Sequence, residues 1–187
     1  MNVAILTLLA CGEKEPDDSP ATDDSPVTTD DSASASDAAF IATGTYDGDP
    51  FTVDCQFDGT DPEWTAGLQC QDSIQFFVWC RPDPDHATIG GLPPEQFQVW
   101  FYLHAAIADP GTHDLVGQSG LCVGDGLAAP LCTSSENIES ATLTVDASTL
   151  WTAASGSFEA EWNGDGDPWA GDHVATMSGS FDFVCAE

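Results

Sequence analysis

From residue 40 onward, apolar and polar residues alternate with a period of two, and this pattern constrains the fold more than any other feature. Successive side chains of a β-strand point to opposite faces, so the alternation predicts strands with one buried face. In FTVDCQF the apolar set is Phe51, Val53, Cys55 and Phe57. We therefore expect an all-β domain in which helix is nearly absent.

Two segments are apolar at nearly every position, SIQFFVWC at 73–80 and QFQVWFYLHA at 96–105. Strands that are apolar on both faces are typical of the centre of a sheet. We expect both segments to be central strands that are covered on both sides. Their tryptophans, Trp79 and Trp100, are expected to fill the core together with Trp162.

The C-terminal part contains three further alternating segments, ATLTVDAS at 141–148, SGSFEAEW at 155–162 and ATMSGSFDFVC at 175–185. The last two share the tetrapeptide SGSF, and we expect them to pair as a long hairpin. Turn sequences rich in Asp, Gly and Pro separate the strands, namely YDGDP, FDGTDP, RPDPD, ADPGT and NGDGDP. Short strands with such turns predict one antiparallel β-sandwich or barrel-like domain over residues 40–187.

Seven cysteines occur in the chain, at positions 11, 55, 70, 80, 122, 132 and 185. Six of them lie in the predicted β-domain, which suggests an oxidising compartment and up to three disulfides among Cys55, Cys70, Cys80, Cys122, Cys132 and Cys185. Zinc is disfavoured, because the sequence has no CxxC pair and its histidines have no regular ligand spacing.

The short separation of Cys122 and Cys132 across a glycine-containing loop favours a local bridge. Pairing Cys55 with Cys70 and Cys80 with Cys185 completes one arrangement of the fifteen that six cysteines allow in general.

The N-terminus combines a short apolar run with a cysteine. Val3–Ala10 is too short to span a bilayer, which needs about 20 residues, and it suits a signal peptide over residues 1–10. Leu8-Leu9-Ala10-Cys11 resembles the lipobox of bacterial lipoproteins. That resemblance implies that Cys11 is lipidated after cleavage and anchors the chain in a membrane. Gly12 after the cysteine resembles an outer-membrane sorting signal, which implies the outer membrane or cell surface.

Residues 11–39 contain the repeated theme DDSPAT, DDSPVTT and DDSASAS. Low hydrophobicity, proline and charge of one sign predict a disordered and extended linker. The whole chain has 32 acidic residues against Lys14 and Arg81, for a formal charge of -30. Such a charge argues against nucleic acid as a partner, because phosphate binding depends on Lys and Arg.

An acidic turn near the C-terminus is the candidate metal site. Asn163, Asp165, Asp167 and Asp172 offer hard oxygen ligands of the kind that calcium prefers. Pro168 stands where the helical calcium loop requires glycine, so that motif is incomplete. A second and weaker acidic turn is Asp47-Gly48-Asp49. Calcium is the one cofactor that the sequence suggests.

Catalysis has no recognisable motif in the sequence. His113-Asp114 and Asp85-His86 are neighbours that would point to opposite faces of a strand, and so many carboxylates occur that no catalytic pair can be chosen. We therefore expect a protein without catalytic residues.

The candidate ligand-binding residues are Trp64 and Trp169, which lie in Asp- and Gly-rich loops and could stack on sugar rings.

The segments GTYDGDPF, PGTHDLVG, GSFEAEW and SGSFDF resemble uncharacterised secreted lipoprotein domains of deltaproteobacterial and related type. The resemblance covers about residues 42–185 and implies no known activity. The resulting hypothesis is a monomeric envelope lipoprotein whose β-domain binds a carbohydrate or an envelope protein, or is structural. The alternative is a secreted hydrolase or carbohydrate-binding domain that uses the acidic loops, with calcium.

Overall fold

The computed structural model describes residues 38–57, 66–83, 85, 88–127, 130–136, 138–163 and 172–185. Within these residues the chain forms eleven strands and one 3-10 turn, Ala105–Ile107. The strands are β1 (Ala39–Tyr46), β2 (Asp49–Gln56), β3 (Ala66–Gln69), β4 (Phe76–Cys80), β5 (Phe97–Leu103), β6 (Gly111–Asp114), β7 (Leu121–Asp125), β8 (Leu131–Cys132), β9 (Ile138–Thr149), β10 (Ala153–Asn163) and β11 (Val174–Val184).

Two antiparallel sheets make a sandwich, which confirms the predicted all-β fold and selects the sandwich over the barrel. One sheet has six strands in the order β2-β1-β11-β10-β9-β6, and the other has five in the order β3-β4-β5-β7-β8. The first strand begins at Ala39, and Ala38 is already buried and accepts a hydrogen bond from Phe57 N. The described part of the sandwich therefore includes Ala38 and Ala39, directly before the predicted start of the domain at residue 40.

Phenylalanines from both sheets meet in the centre of the sandwich. The ring of Phe101 on β5 lies 4.9 Å from that of Phe181 on β11 and 5.8 Å from that of Phe158 on β10. Phe40 on β1 stacks on Phe158 at 5.3 Å. Full burial of each such side chain contributes about 1.5–3 kcal/mol, so this cluster is a main source of stability.

The predicted C-terminal hairpin is confirmed. β10 pairs with β11 along its whole length, and Ser157 lies opposite Ser180. Trp162 on β10 is fully buried, as expected. The predicted turn at YDGDP is also confirmed: Asp47 and Gly48 have φ values of 53° and 83°, the left-handed pair that a two-residue type I′ hairpin turn requires.

The central position of β4 and β5 is confirmed, but the expectation that Trp79 and Trp100 fill the core is wrong. Val78 on β4 and Phe101 on β5 are fully buried, whereas both tryptophans are half-buried on the opposite side of the sheet. Each strand of a two-layer sandwich has one inward face only. The second apolar set of these two strands therefore lies on the outside of the molecule.

Three disulfides are present, and their pairing differs in part from the expected one. Cys122 and Cys132 are bonded cross-strand neighbours on β7 and β8, as predicted. The pairs Cys55–Cys70 and Cys80–Cys185 are wrong, because Cys55 bonds to Cys80 and Cys70 bonds to Cys185. Cys55 on β2 and Cys80 on β4 point into the core from opposite sheets and are both buried. Two disulfides thus join the two sheets.

The predicted signal peptide, the lipidation site Cys11 and nearly all of the linker lie outside the described residues. Trp64, Trp169, Asp165 and Asp167 also lie outside them. Among the described residues, none belongs to a helix long and apolar enough to cross a bilayer.

Candidate functional site

The C-terminal acidic turn is described only at its two ends. Asn163 is the last residue of β10, and its side-chain Nδ2 donates a hydrogen bond of 2.9 Å to Glu139 Oε1. Asp172 lies two residues before the first residue of β11. In the part of the chain that the structure describes, no three His, Cys, Asp or Glu side chains are grouped so that they could hold a metal ion. Calcium binding therefore stays a prediction.

The second acidic turn uses its carboxylate to hold the end of the sandwich together. Asp47 Oδ2 lies 2.7 Å from His173 Nδ1, and Asp47 Oδ1 accepts a hydrogen bond of 3.0 Å from Val174 N. Asp47 N donates in turn to Val174 O at 2.8 Å. These bonds connect the β1–β2 turn to the start of β11. Sequence reasoning missed the Asp47–His173 pair, because 126 residues separate its members and only the fold brings them together.

Tyr46 lies beneath this pair and is 1% exposed. Its ring stacks on His173 at 5.1 Å and meets Phe97 edge-on at 5.6 Å. Burial raises the pKa of the Tyr46 hydroxyl well above its ordinary value, and the nearby Asp47 and Asp125 carboxylates raise it further. The phenol is therefore held neutral, and it acts as a packing group for the imidazole ring.

The Asp47–His173 pair has the carboxylate and imidazole of a catalytic relay but lacks a described nucleophile. No serine, threonine or cysteine among the described residues makes a hydrogen bond to His173. A relay of this kind needs a nucleophile within hydrogen-bond reach of the imidazole. The described geometry supports a structural role for the pair.

The outer side of the five-stranded sheet carries a different set of residues, which we call the aromatic face. Its members alternate with the inward-facing positions of their strands and are Gly67, Gln69, Phe77, Trp79, Gln98, Trp100, Tyr102, Cys122 and Cys132. Gln98 and Cys122 are covered by their neighbours and are buried. No described member of this face is acidic, although the chain has a formal charge of -30. The face combines aromatic rings, amides and a disulfide.

Four rings occupy the middle of the aromatic face as two cross-strand pairs. Phe77 lies opposite Tyr102, and Trp79 lies opposite Trp100. The rings of Phe77 and Tyr102 stack with centroids 4.8 Å apart and an interplanar angle of 20°. Trp79 follows along β4 at 5.5 Å from Phe77. Cross-strand aromatic pairs stabilise a sheet by about 0.2–1 kcal/mol each, so the contacts of Phe77 with Tyr102 and Trp79 help to hold these three rings in place.

Glycine at position 67 determines how Trp79 lies. Gly67 on β3 is the direct cross-strand partner of Trp79. A Cβ at this position would overlap the indole atoms Cε2, Cζ2 and Cη2 of Trp79. The absence of a side chain thus lets the indole ring lie over the backbone of β3. Trp79 is half-buried in this position, so part of its ring is accessible.

Polar groups border the aromatic face at the end of the sheet where Phe77 lies opposite Tyr102. Gln69 is exposed, and its Oε1 accepts a hydrogen bond of 2.6 Å from Gln71 Nε2. His104 directly follows β5, and its ring stacks on Tyr102 at 6.3 Å. Its Nε2 is buried and has no hydrogen-bond partner among the described residues. Burial also raises the pKa of the Tyr102 hydroxyl, so both described phenols stay neutral far above neutral pH.

The outer side of the six-stranded sheet contrasts with the aromatic face. Most of its exposed positions carry hydroxyl or carboxyl side chains, and Ile41 and Val174 are exposed apolar exceptions. The hydroxyl and carboxyl side chains include Thr43, Thr52, Asp54, Thr142, Ser157, Glu159, Glu161, Thr176, Ser178, Ser180 and Asp182. Shallow depressions on this side are lined by the same polar residues. This side is suited to contact with water and ions. The two outer surfaces of the sandwich therefore differ sharply in chemistry.

Sequence reasoning placed the candidate binding residues at Trp64 and Trp169, outside the described residues, and assigned Trp79 and Trp100 to the core. One sequence signal could have found the aromatic face. Gln98, Trp100 and Tyr102 form the second alternating set of β5, and the corresponding set of β4 is Phe77 and Trp79. In a two-layer fold only one face of each strand packs in the core, so a second apolar set on the same strand lies on the outside of the molecule. Aromatic residues in that outer set indicate a binding surface.

The fold and this surface define a disulfide-bonded antiparallel β-sandwich with one aromatic outer face. Comparison with known proteins adds no closer assignment, because no protein family, no curated protein and no solved structure matches the chain.

Proposed function

We propose that this protein is a lipid-anchored binding module of the bacterial cell surface, without catalytic activity, and that it binds its ligand with the aromatic face. The observation that supports this most is the contrast between the two outer surfaces of the sandwich. An acidic chain of charge -30 keeps the outer positions of one sheet free of carboxylates and places Phe77, Trp79, Trp100 and Tyr102 there. Clustered surface aromatics are typical of interaction sites.

The rigidity of the surface supports a binding role. The four rings are on β4 and β5, which are internal strands of the five-stranded sheet. One disulfide joins β4 to β2 of the other sheet, and a second joins β7, the neighbour of β5, to β8. A site on braced strands loses little conformational freedom when a ligand binds. The four rings are therefore held in a fixed arrangement before a ligand binds.

The lipid anchor is proposed from the lipobox-like Leu8-Leu9-Ala10-Cys11 and the acidic segment that follows it. Stable anchoring by lipid takes two acyl chains or more, which a lipoprotein cysteine carries. The segment between Cys11 and Ala38 could hold the sandwich up to about 90 Å from the bilayer at full extension. Such a reach would leave the aromatic face accessible to a ligand outside the membrane.

A non-catalytic role is supported by the use of the Asp47 carboxylate. Both of its oxygens accept hydrogen bonds, from His173 and from the backbone of Val174. The pair is thus engaged in closing the end of the sandwich.

Two measurements test this proposal. Intact mass of the protein from its natural host should correspond to cleavage before Cys11 plus acyl chains, and an unacylated chain would contradict the anchor. For the binding role, the full chain with Cys11→Ser, which cannot be acylated, is added to host cells that lack the protein. Trp79→Ala in that chain should reduce its retention on the cells. Glu159→Gln, on the opposite outer surface, is the matched control and should not.

A further inference from the structure

We infer that the ligand of the aromatic face is an uncharged glycan, one sugar ring of which stacks on the indole of Trp79. This inference depends on the proposed binding function and specifies its ligand class. Three features of the described residues lead to it: the charge of the face, the orientation of Trp79 and the polar groups at the border.

Charge restricts the ligand first. At -30 the chain as a whole repels anions, which disfavours nucleic acids, anionic lipids and acidic polysaccharides. A cationic ligand would instead be attracted to the outer side of the six-stranded sheet, where Asp54, Glu159, Glu161 and Asp182 are exposed. The aromatic face has no described carboxylate to pair with a cation. A neutral ligand is the class that this face favours.

The orientation of Trp79 suits a flat ligand with an apolar side. The indole lies over Gly67, where any side chain would displace it, so part of the ring packs on β3. Trp79 is half-buried, which leaves part of the ring accessible. A pyranose ring presents aliphatic hydrogens on its flat side, and burying these against an aromatic ring is favourable. The stacked rings of Phe77 and Tyr102 stand next to Trp79 and would flank the bound sugar.

The border of the face supplies hydrogen-bonding groups without formal negative charge. Gln69 is exposed beside Phe77, and the ring of His104 stacks on Tyr102. Glycan hydroxyls both donate and accept hydrogen bonds, so an exposed amide such as that of Gln69 can satisfy them. An aromatic centre with a few polar groups is the usual composition of a small-molecule site.

A second copy of the chain fits this surface less well. Two molecules of charge -30 repel each other, and the four rings are only half-buried rather than widely exposed. Charge repulsion therefore disfavours a second copy as the occupant of the aromatic face.

The experiment uses the full chain with Cys11→Ser, applied to a glycan microarray that contains neutral and acidic members, followed by calorimetry with the best neutral oligosaccharide. We expect neutral members to bind and acidic members not to bind. Trp79→Ala should weaken binding by at least about tenfold, as loss of a central tryptophan commonly does. Gly67→Val should weaken it as well, because its side chain displaces the indole while Trp79 is retained.

Glu159→Gln should leave the affinity unchanged, and near-ultraviolet circular dichroism should show that every variant is folded. Binding of acidic glycans alone, or of no glycan, would overturn the inference. If Trp79→Ala still reduces retention on host cells in that case, the binding function stands and only the ligand class is wrong. If Trp79→Ala has no effect in either assay, both proposals fail.

Discussion

Phe158 on β10 and Gly179 on β11 lie directly opposite each other, and the phenylalanine ring fills the space above the glycine. The same relationship recurs two residues away with the strands exchanged, where Phe181 lies opposite Gly156. A Cβ at Gly179 would lie 2.6 Å from Phe158 Cζ, and one at Gly156 would lie 2.7 Å from Phe181 Cζ. The repeated SGSF segments are thus two matching halves of one packing arrangement.

Gly179→Ala should destabilise the protein by about 1–3 kcal/mol, because the added methyl group overpacks the core against Phe158 and the carbonyl of Ile41. The measurement is equilibrium unfolding in urea. Ser180→Ala is the matched control, since Ser180 is the exposed neighbour and its change should stay within about 0.5 kcal/mol. Equal stability of the two variants would show that the glycine is not required by packing.

This hairpin also shows how far sequence reasoning reaches. The SGSF repeat and the alternation of Phe158, Ala160 and Trp162 predicted both the pairing and the buried face, because register and burial are local properties of two neighbouring strands. The disulfides Cys55–Cys80 and Cys70–Cys185 and the outer position of Trp79 depend instead on which strands the two sheets contain. The distribution of strands between the two sheets depends on packing between residues that are far apart in the sequence. The pattern of a single sequence does not reveal these contacts.

The disulfides should differ in their contribution to stability. Loop-closure entropy increases with the separation of the cysteines, which is 115 residues for Cys70–Cys185, 25 for Cys55–Cys80 and 10 for Cys122–Cys132. Replacing each pair by alanine should cost about 4.8, 3.5 and 2.7 kcal/mol in that order. Urea unfolding of the three double variants measures these values.

Peptide mapping without reduction checks the pairing itself. A fragment that joins Cys55 to Cys80 is expected. A fragment that joins Cys55 to Cys70 would contradict the described arrangement of β2 against β4.

Stability should decrease at alkaline pH because of the tyrosines. The chain has two, Tyr46 and Tyr102, and the pKa of each is raised in the folded state by burial. Below the unfolded pKa of about 10 both states keep the phenols protonated, and pH has no effect through them. Above about pH 10 the unfolded chain loses these protons first, so the free energy of unfolding falls by up to about 1.4 kcal/mol per pH unit for each tyrosine.

Absorbance at 295 nm, which detects tyrosinate, provides the direct measurement. The folded protein should show little tyrosinate at a pH where the protein in urea is largely ionised. Tyr46→Phe should make the decrease in stability above pH 10 shallower, and Tyr102→Phe should do so as well. A folded protein whose tyrosines both titrate near 10 would contradict their burial.

Substitutions of Asp47 should separate its side-chain interaction with His173 from its contribution to the backbone of the β1–β2 turn. Asp47→Asn keeps an oxygen for Val174 N and tolerates the positive φ of 53°, so it removes mainly the carboxylate charge beside His173 Nδ1. Because both partners of this pair are substantially exposed, at 40% and 31%, the loss should be no more than about 1 kcal/mol. Asp47→Ala also removes the backbone hydrogen bond and strains the turn, and should cost about 2–3 kcal/mol.

Thermal unfolding at low and high salt distinguishes the two contributions. Added salt should reduce the part of the difference between Asp47→Asn and the unmodified protein that comes from charge, because salt screens exposed charges. It should leave most of the further loss in Asp47→Ala, which comes from hydrogen bonding and backbone conformation. Asp47→Gly is the matched control, since glycine accepts positive φ without strain and should recover part of the stability that alanine loses. If asparagine and alanine destabilise equally, the carboxylate acts through His173 alone and the turn contributes nothing.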